Sequence, residues 1–302
     1  MNNFKSGFVA VIGLPNCGKS TFVNAALGQK LSVTNPKPQT TRKKILGILT
    51  ERNFQIIFVD TPGILKPAYL LQKKMLEYVH DSVTDADLVI IILDPKEDPE
   101  GNKTFSMPEV QKCLEDDSKK KIILINKVDL LKQEDVKLRL SLLEKKGKFE
   151  KIIPISALLG FNISSVIDTI VELLPNGPKY YPDDIISESD ERFFVSEIIR
   201  EKILDQYREE IPYSVEVLIE EFKERNDARD YIRAVILVEK NTQKGIIIGN
   251  GGKAIKKLGL NARKAIEEFL GREVFLELYV KVEKNWRSNE KVLKRLGYTK
   301  EQ

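Results

Sequence analysis

Histidine is almost missing from this chain: His80 is the only one in 302 residues. That removes Ser-His-Asp hydrolysis and any metal site built from several imidazoles. His80 follows a helix-like stretch and reads as a surface residue. Cys17 and Cys113 are the only cysteines and form no CxxC pair, which excludes a disulfide scaffold and a cysteine-rich zinc site. Long apolar runs are lacking too. Leu88–Leu93 is among the longest, the length of a strand and far short of the roughly 20 residues that span a bilayer. No basic segment followed by a long apolar stretch opens the chain, so no secretory signal is expected and the reading is a soluble, cytoplasmic protein. Nor is there a large charge of one sign: 49 Lys and Arg against 45 Asp and Glu leave +4, which by itself identifies no polyanion binder.

What is present is enough apolar material, 42%, for buried cores, and a length that suggests two domains at roughly 150 residues each. The charge is unevenly spread. From Lys240 onward there are 15 Lys and Arg and 7 Asp and Glu, a net +8, leaving −4 on everything before. A basic end on a mildly acidic body suits a polyanion-binding segment. Short apolar runs at 8–12, 45–50, 55–59, 88–93, 121–125 and 151–155 are expected strands. Helices are expected to start near Lys19, Tyr69, Pro108, Asp135 and Ser164, the first ending at Gly28. Strands alternating with helices predict an α/β sheet covered on both faces. Pro175, Gly177, Pro178 and Pro182 with an acidic run then read as a linker. Beyond it the pattern becomes helix, two strands, two helices and a strand, with alternation at Val215–Ile219, Ile232–Val238 and Val274–Val282 that predicts a sheet covered on one face. The expected division is 1–174, a linker at 175–192, and 193–302.

Gly13-Leu14-Pro15-Asn16-Cys17-Gly18-Lys19-Ser20 fits G-x-x-x-x-G-K-[ST] between an expected strand and an expected helix, with Thr21 following. Its backbone N–H groups would cradle phosphates, with Lys19 neutralising charge and the Ser20 hydroxyl on Mg²⁺. Asp60-Thr61-Pro62-Gly63-Ile64 follows a strand end, where Asp60 can reach Mg²⁺ through water and the Gly63 N–H can meet a γ-phosphate. Asn126-Lys127-Val128-Asp129 ends another strand. An ionised Asp129 would accept from guanine N1–H and its 2-amino group, donors that adenine lacks; the Lys127 stem would cover the base and Asn126 would tether loops. Ser156-Ala157 is expected to offer a backbone N–H to guanine O6. A second signal lies at Ile248-Gly249-Asn250-Gly251-Gly252-Lys253. G-x-x-G between helical runs is the KH signature, a loop that nucleic-acid backbone approaches closely, and Lys253, Lys256 and Lys257 place charge beside it. Ile247, Ile248, Ile255 and Leu258 are candidates for the base groove, shared with the core. Lys119–Lys121 read as a solvated edge, and Trp286 with Arg287 either stacks on RNA or packs.

Together these segments resemble the Era group of GTPases along nearly the whole chain. The resemblance implies a P-loop NTPase G domain with a mixed, mostly parallel sheet and helices on both faces, then an α+β type II KH domain. It implies GTP hydrolysis, with Gln39-Thr40-Thr41-Arg42 as the switch-I segment and Thr41, or else Thr40, on Mg²⁺ beside Ser20 and Asp60. Asn16, Lys19 and Thr41 would serve catalysis. Ile64 stands near where Ras-like enzymes carry a water-orienting glutamine, and the asparagine matching Asn16 is associated in that group with a monovalent cation, so K⁺ joins Mg²⁺ as an implied cofactor. The implied partners are GTP and GDP, 16S rRNA near its 3′ end in the small ribosomal subunit, and peripherally the inner membrane; the chain is expected to be a monomer. The loop interior, Asn250-Gly251, lacks a lysine common in that group, which Lys253 would replace. Two other classes differ in what they predict: an RNA-binding module whose nucleotide site does not turn over, and an ATP-using P-loop enzyme, which Asp129 opposes.

Overall fold

The computed structural model describes residues 4–225 and 228–298, and backbone contacts divide them between two units, with the main boundary at Glu188 and Ser189 and the short stretch Tyr69–Leu71 grouped with the second. The first unit is built on six strands, β1 (Lys5–Ile12), β2 (Ile45–Thr50), β3 (Phe54–Asp60), β4 (Leu88–Leu93), β5 (Lys120–Ile125) and β6 (Lys151–Pro154), in the order β2-β3-β1-β4-β5-β6. Every pair is parallel except β2–β3. The central strands read as continuous apolar runs because both faces are covered; all six residues of β4 are buried. On one face α1 (Lys19–Leu27) and α6 (Ile163–Leu173) pack Phe22, Val23, Val166 and Ile170 against β1, β3 and β4. On the other, α2 (Leu70–Asp85), α4 (Pro108–Glu115) and α5 (Gln133–Glu144) contribute Val79, Val110, Cys113 and Leu143. Between β4 and α4 lies a single turn, α3 (Asn102–Phe105), too short for periodicity to reveal.

The lysine run entering β5 is not merely solvated. Lys119 Nζ donates to the carbonyls of Thr84 and Ala86 at 2.6 and 2.7 Å, and Lys120 Nζ to that of Leu173 at 2.6 Å. These are the C-terminal carbonyls of α2 and α6, where a cation also meets the negative end of the helix dipole. Residues 175–188 lie along the same unit. Gln55 on β3 donates to the Tyr181 carbonyl and accepts from the Tyr180 and Tyr181 N–H groups, and Ile48 N–H on edge strand β2 donates to Ile186 O at 2.8 Å. A glutamine that satisfies three backbone groups makes this stretch a strap, although its proline-rich composition reads as a tether.

The second unit holds β7 (Glu216–Lys223), β8 (Asp230–Val238) and β9 (Val274–Val282), with β7–β8 antiparallel and β8–β9 parallel. Helices α7 (Glu191–Gln206), α9 (Asn241–Ile248) and α10 (Lys253–Leu270) cover one face, and α8 (Ile211–Ser214) is a short turn before β7. The core joins Val195, Ile199 and Ile203 of α7 to Ile247, Leu258 and Ile266 and to the inward residues of β8. The α7 helix begins earlier than its apolar spacing suggests because Asp190 caps it, accepting from Phe193 N–H at 2.8 Å. Trp286 packs and does not face solvent: it is fully buried, and its Nε1–H donates to Ser214 O at 2.9 Å. Arg287 pairs with Glu239. Last comes α11 (Glu290–Arg295), after which the Tyr298 hydroxyl donates to Glu216 on β7. No helix among the described residues is long and apolar enough to cross a membrane.

Candidate functional site

Loops from the carboxyl ends of β1, β3, β4 and β5 open into a cavity of about 830 Å³, lined by Leu14–Thr21, most of 33–41, Gly63–Lys66, Asp94, Lys127 and Leu158. Parallel sheets bind ligands at this edge. The loop Gly13–Ser20 takes its shape from backbone that side chains cannot follow. At Gly18, with φ +100°, a Cβ would sit 2.1 Å from Asn126 Nδ2. Lys19 is buried, and its Nζ donates back to the carbonyls of Leu14 at 3.1 Å and Gly13 at 3.3 Å, neutral acceptors that a phosphate oxygen would outcompete.

Ser20 and Thr41 bring their hydroxyl oxygens within 2.9 Å of each other. Thr40, the other candidate, hydrogen-bonds the Lys37 carbonyl at 2.8 Å inside its own loop. Asp60 is fully buried, and neither carboxylate oxygen has a well-formed hydrogen-bond partner. Burial pushes its carboxyl above the usual range, opposed by the nearby Ser20 hydroxyl, the Lys19 charge and the Ser32 hydroxyl. A buried carboxylate without a full set of donors, beside two hydroxyl oxygens, is an all-oxygen set suited to a small hard cation such as Mg²⁺, with the buried charge as the reason to bind it.

The base end is held by Asn126, which is buried and uses both ends of its amide. Nδ2 donates to Cys17 O at 2.8 Å, and Oδ1 accepts from Ala157 N–H at 2.9 Å. Lys127 sits at φ +60°, and its Nζ spans the loop to Asn16 O at 2.7 Å and Asp94 Oδ2 at 2.6 Å. Asp129 is exposed and makes no ion pair among the described residues. Asn16, at φ +63°, donates from Nδ2 to Pro36 O at 2.7 Å, which joins the phosphate loop to the segment holding Thr41. Ile64 lines the cavity, but its side chain is apolar and packs into the core around β4, so it cannot orient water.

Two residues escape the motif reading. Asp94, a carboxylate at the end of β4, anchors Lys127, and its only sequence signal is that it ends an apolar strand. Leu158 matters because the N–H groups of Ser156 and Ala157 are both engaged, with Phe161 O and Asn126 Oδ1. Within this turn the N–H groups of Leu158 and Gly160 have no partner among the described residues, and Leu158, 79% exposed, lies at the rim of the cavity.

In the second unit, α9 ends at Gly249, where φ is +70° and a Cβ would lie 2.5 Å from that of Ala254. Asn250 and Gly251 are exposed, Gly252 is half-buried, and Lys253, Lys256 and Lys257 are exposed beyond them. Of the apolar residues expected to form a groove, Ile247 and Leu258 are core; Ile248 and Ile255 are half-buried, and Ile246, 49% exposed, joins them.

Comparison with known proteins finds two families on different parts of the chain. A family described as a 50S ribosome-binding GTPase matches residues 8–127, and a KH-domain family matches 210–287. The chain is 45% identical to GTPase Era of Halothermothrix orenii, covering 98% of this chain and 99% of that one, and 42% identical to GTPase Era of Staphylococcus haemolyticus over the full length of both. Among solved structures, a tyrosine-to-alanine variant of Aquifex aeolicus Era bound to GDP·AlF4⁻ matches with a TM-score of 0.92 at 36% identity, over 98% of this chain and all of that one. Era in complex with MgGDPNP and nucleotides 1506–1542 of 16S ribosomal RNA matches with a TM-score of 0.91 at 36% identity and the same coverage. A phosphate loop, a guanine-reading turn and a KH loop in this order, with identity of this extent, show that the chain belongs to the Era family of GTPases.

Proposed function

We propose that this protein binds and hydrolyses GTP in its first unit and binds 16S rRNA of the small ribosomal subunit through the Gly249–Gly252 loop, acting as a switch in subunit assembly. The observation that supports the GTPase reading is that Lys19, Ser20, Thr41 and Lys127 line one cavity, with the buried Asp60 carboxylate beside Ser20. That of the RNA reading is the KH fold, with its basic helix, in a relative solved with an rRNA fragment.

Ser20, Thr41 and Asp60 would hold Mg²⁺, the last through water; the ion supplies charge neutralisation at the β- and γ-phosphates. Lys19 exchanges its two carbonyl acceptors for phosphate oxygens. The backbone N–H of Gly63 and the hydroxyl of Thr41 fix the γ-phosphate end, so that a bound triphosphate would hold the loop 32–44 against the phosphate loop. Asp129 reads guanine, and the Leu158 N–H serves O6. Because Ile64 offers no polar group, the water would be held by backbone, by a cation or by another chain. Asn16 keeps its Oδ1 while Nδ2 holds Pro36, which supports a K⁺ beside the phosphates.

Multiple-turnover phosphate release from GTP tests the reading against a nucleotide-regulated RNA binder. Release should be slow, faster in K⁺ than in Na⁺, and absent with ATP; a single turnover would reduce the protein to the binder. Equal rates in the two salts, with Asn16→Ala unaffected, would remove K⁺. RNA affinity should differ between the GTP and GDP states, since coupling of the two ligands is reciprocal.

A further inference from the structure

The outer face of the second unit's sheet carries an aromatic row that neither the helices nor the KH loop explains. Along β9, Val274, Leu276, Leu278, Val280 and Val282 pack toward the helices, so Phe275, Glu277, Tyr279 and Lys281 face outward. Tyr231 and Arg233 of β8 stand on the same side, in register with Phe275 and Glu277. Phe275 and Tyr279 are 50% and 51% exposed.

These side chains are arranged, not scattered. The Tyr231 and Phe275 rings lie 6.1 Å apart at 14°, nearly parallel. The Arg233 guanidinium sits 5.6 Å from the Tyr231 ring and 5.8 Å from that of Tyr279, and Arg225 lies 5.5 Å from Tyr231. Glu277 accepts from the hydroxyls of Tyr231 at 2.7 Å and Tyr279 at 3.3 Å, which fixes how both rings stand. Cross-strand aromatic pairs do stabilise sheets. Stability alone favours burying such rings, and here two of the three remain half in water.

Flat rings interleaved with guanidinium planes match the faces of unstacked bases, and a polyanion suits the charge around them. On these rows Lys223, Arg233 and Lys281 stand with Glu221 and Glu277, Arg233 bridging the two glutamates, and Arg225 adds a further cation beside Tyr231. The KH loop also lacks this chemistry: from Asn241 to Glu268 there is no aromatic residue, so α9 and α10 as far as Glu268 offer aliphatic contact beside Gly249–Gly252 but no ring for stacking. Building on the RNA reading above, we propose that Tyr231, Arg233, Phe275 and Tyr279 form a second RNA contact, a stacking platform for single-stranded bases outside those held at the Gly249–Gly252 loop.

The test uses the full chain and two single-stranded RNAs, one of about four nucleotides that fills a single KH loop and one several times longer. In Phe275→Ala/Tyr279→Ala the long strand should bind more weakly by roughly fivefold to a hundredfold for each ring lost, with the short strand and GTP hydrolysis unchanged. The salt dependence of long-strand binding should also stay the same, because rings neutralise no phosphate; Lys253→Ala, in contrast, should weaken both strands and flatten that dependence. Ultraviolet crosslinking of wild-type protein to the long strand should place adducts on Tyr231, Phe275 or Tyr279. Unchanged long-strand affinity in the double variant, equal loss for both lengths, or adducts confined to the Gly249–Gly252 region would each overturn the platform while leaving the KH loop standing. Failure of the wild-type protein to bind either strand would overturn both.

Discussion

Asn126→Ala separates a residue that builds the nucleotide site from one that merely touches its ligand. Asn126 is only 2% exposed and holds Cys17 O at 2.8 Å and Ala157 N–H at 2.9 Å. Alanine leaves both backbone groups without their partner. An orphaned buried group costs about 1–3 kcal/mol, so two cost about 2–6 kcal/mol. The gap opens beside the nucleotide cavity, and water entering it restores part of the loss, which leaves about 2–4 kcal/mol. That loss belongs to the protein without nucleotide. Amide exchange at Ala157 should therefore accelerate by about 30-fold or more in the nucleotide-free variant, each 1.4 kcal/mol being tenfold. GTP and GDP affinities should fall together, since the side chain reaches no γ-phosphate group. Asn126→Asp sharpens the test. It keeps an acceptor for Ala157 but sets a carboxylate oxygen against Cys17 O, so its site should recover as pH falls and the acid becomes a donor. Exchange at Ala157 within twofold of wild type, with nucleotide affinity lost, would refute the tethering role and make Asn126 a direct ligand contact.

Four further outcomes follow from the same geometry. Asp129→Asn should leave folding stability within about 0.5 kcal/mol, since the residue is exposed; its GTP affinity should fall by roughly 10- to 100-fold through loss of a charge-assisted pair, measured by calorimetry. Asp60→Asn should stabilise the nucleotide-free protein while weakening Mg²⁺-dependent GTP binding. The sign follows from linkage: burial raises the folded-state pKa of Asp60, so the native state holds the proton more tightly than the unfolded chain, and stability declines as pH rises through the interval above the unfolded value. Wild type should thus lose ground to Asp60→Asn as pH rises in metal-free urea melts, and parallel curves would contradict this. Trp286→Phe should destabilise the second unit by about 1–3 kcal/mol through the orphaned Ser214 carbonyl, with GTP hydrolysis unchanged; a loss of under 0.5 kcal/mol in denaturant melts would count against that bond. Replacing Lys253, Lys256 and Lys257 together by alanine should lower the slope of log affinity for single-stranded RNA against log salt by about 2.

Much of the fold is legible because its signals are local. A strand buried on both faces must be apolar throughout, and Leu88–Leu93 is; a strand covered on one face must alternate, and Val274–Val282 does. The phosphate loop and the Asn126 turn are legible because phosphate and guanine demand particular groups at fixed spacing. Contacts made by ordinary residues are not. Nothing local marks Asp94 as the anchor of Lys127, or Gln55 as the clamp on Tyr180 and Tyr181, 125 positions away. The Ser-Ala turn shows the same limit: the Ala157 N–H is taken up by Asn126, 31 residues earlier, and nothing local in the sequence says so. Lys119 and Lys120 read as bare charge until the carbonyl ends of two helices are seen to converge on them.

The phosphate loop is fastened from several sides by the protein itself: Ile64 N–H reaches Gly13 O at 3.0 Å, Asn126 holds Cys17 O, and Lys127 holds Asn16 O. Bonds that do not depend on the ligand reduce the entropy lost when a diphosphate docks. Discrimination between di- and triphosphate is thereby left to the segment around Thr41. The molecule should hold the spent nucleotide firmly, and the interval between one hydrolysis and the next should be timed by release and not by capture.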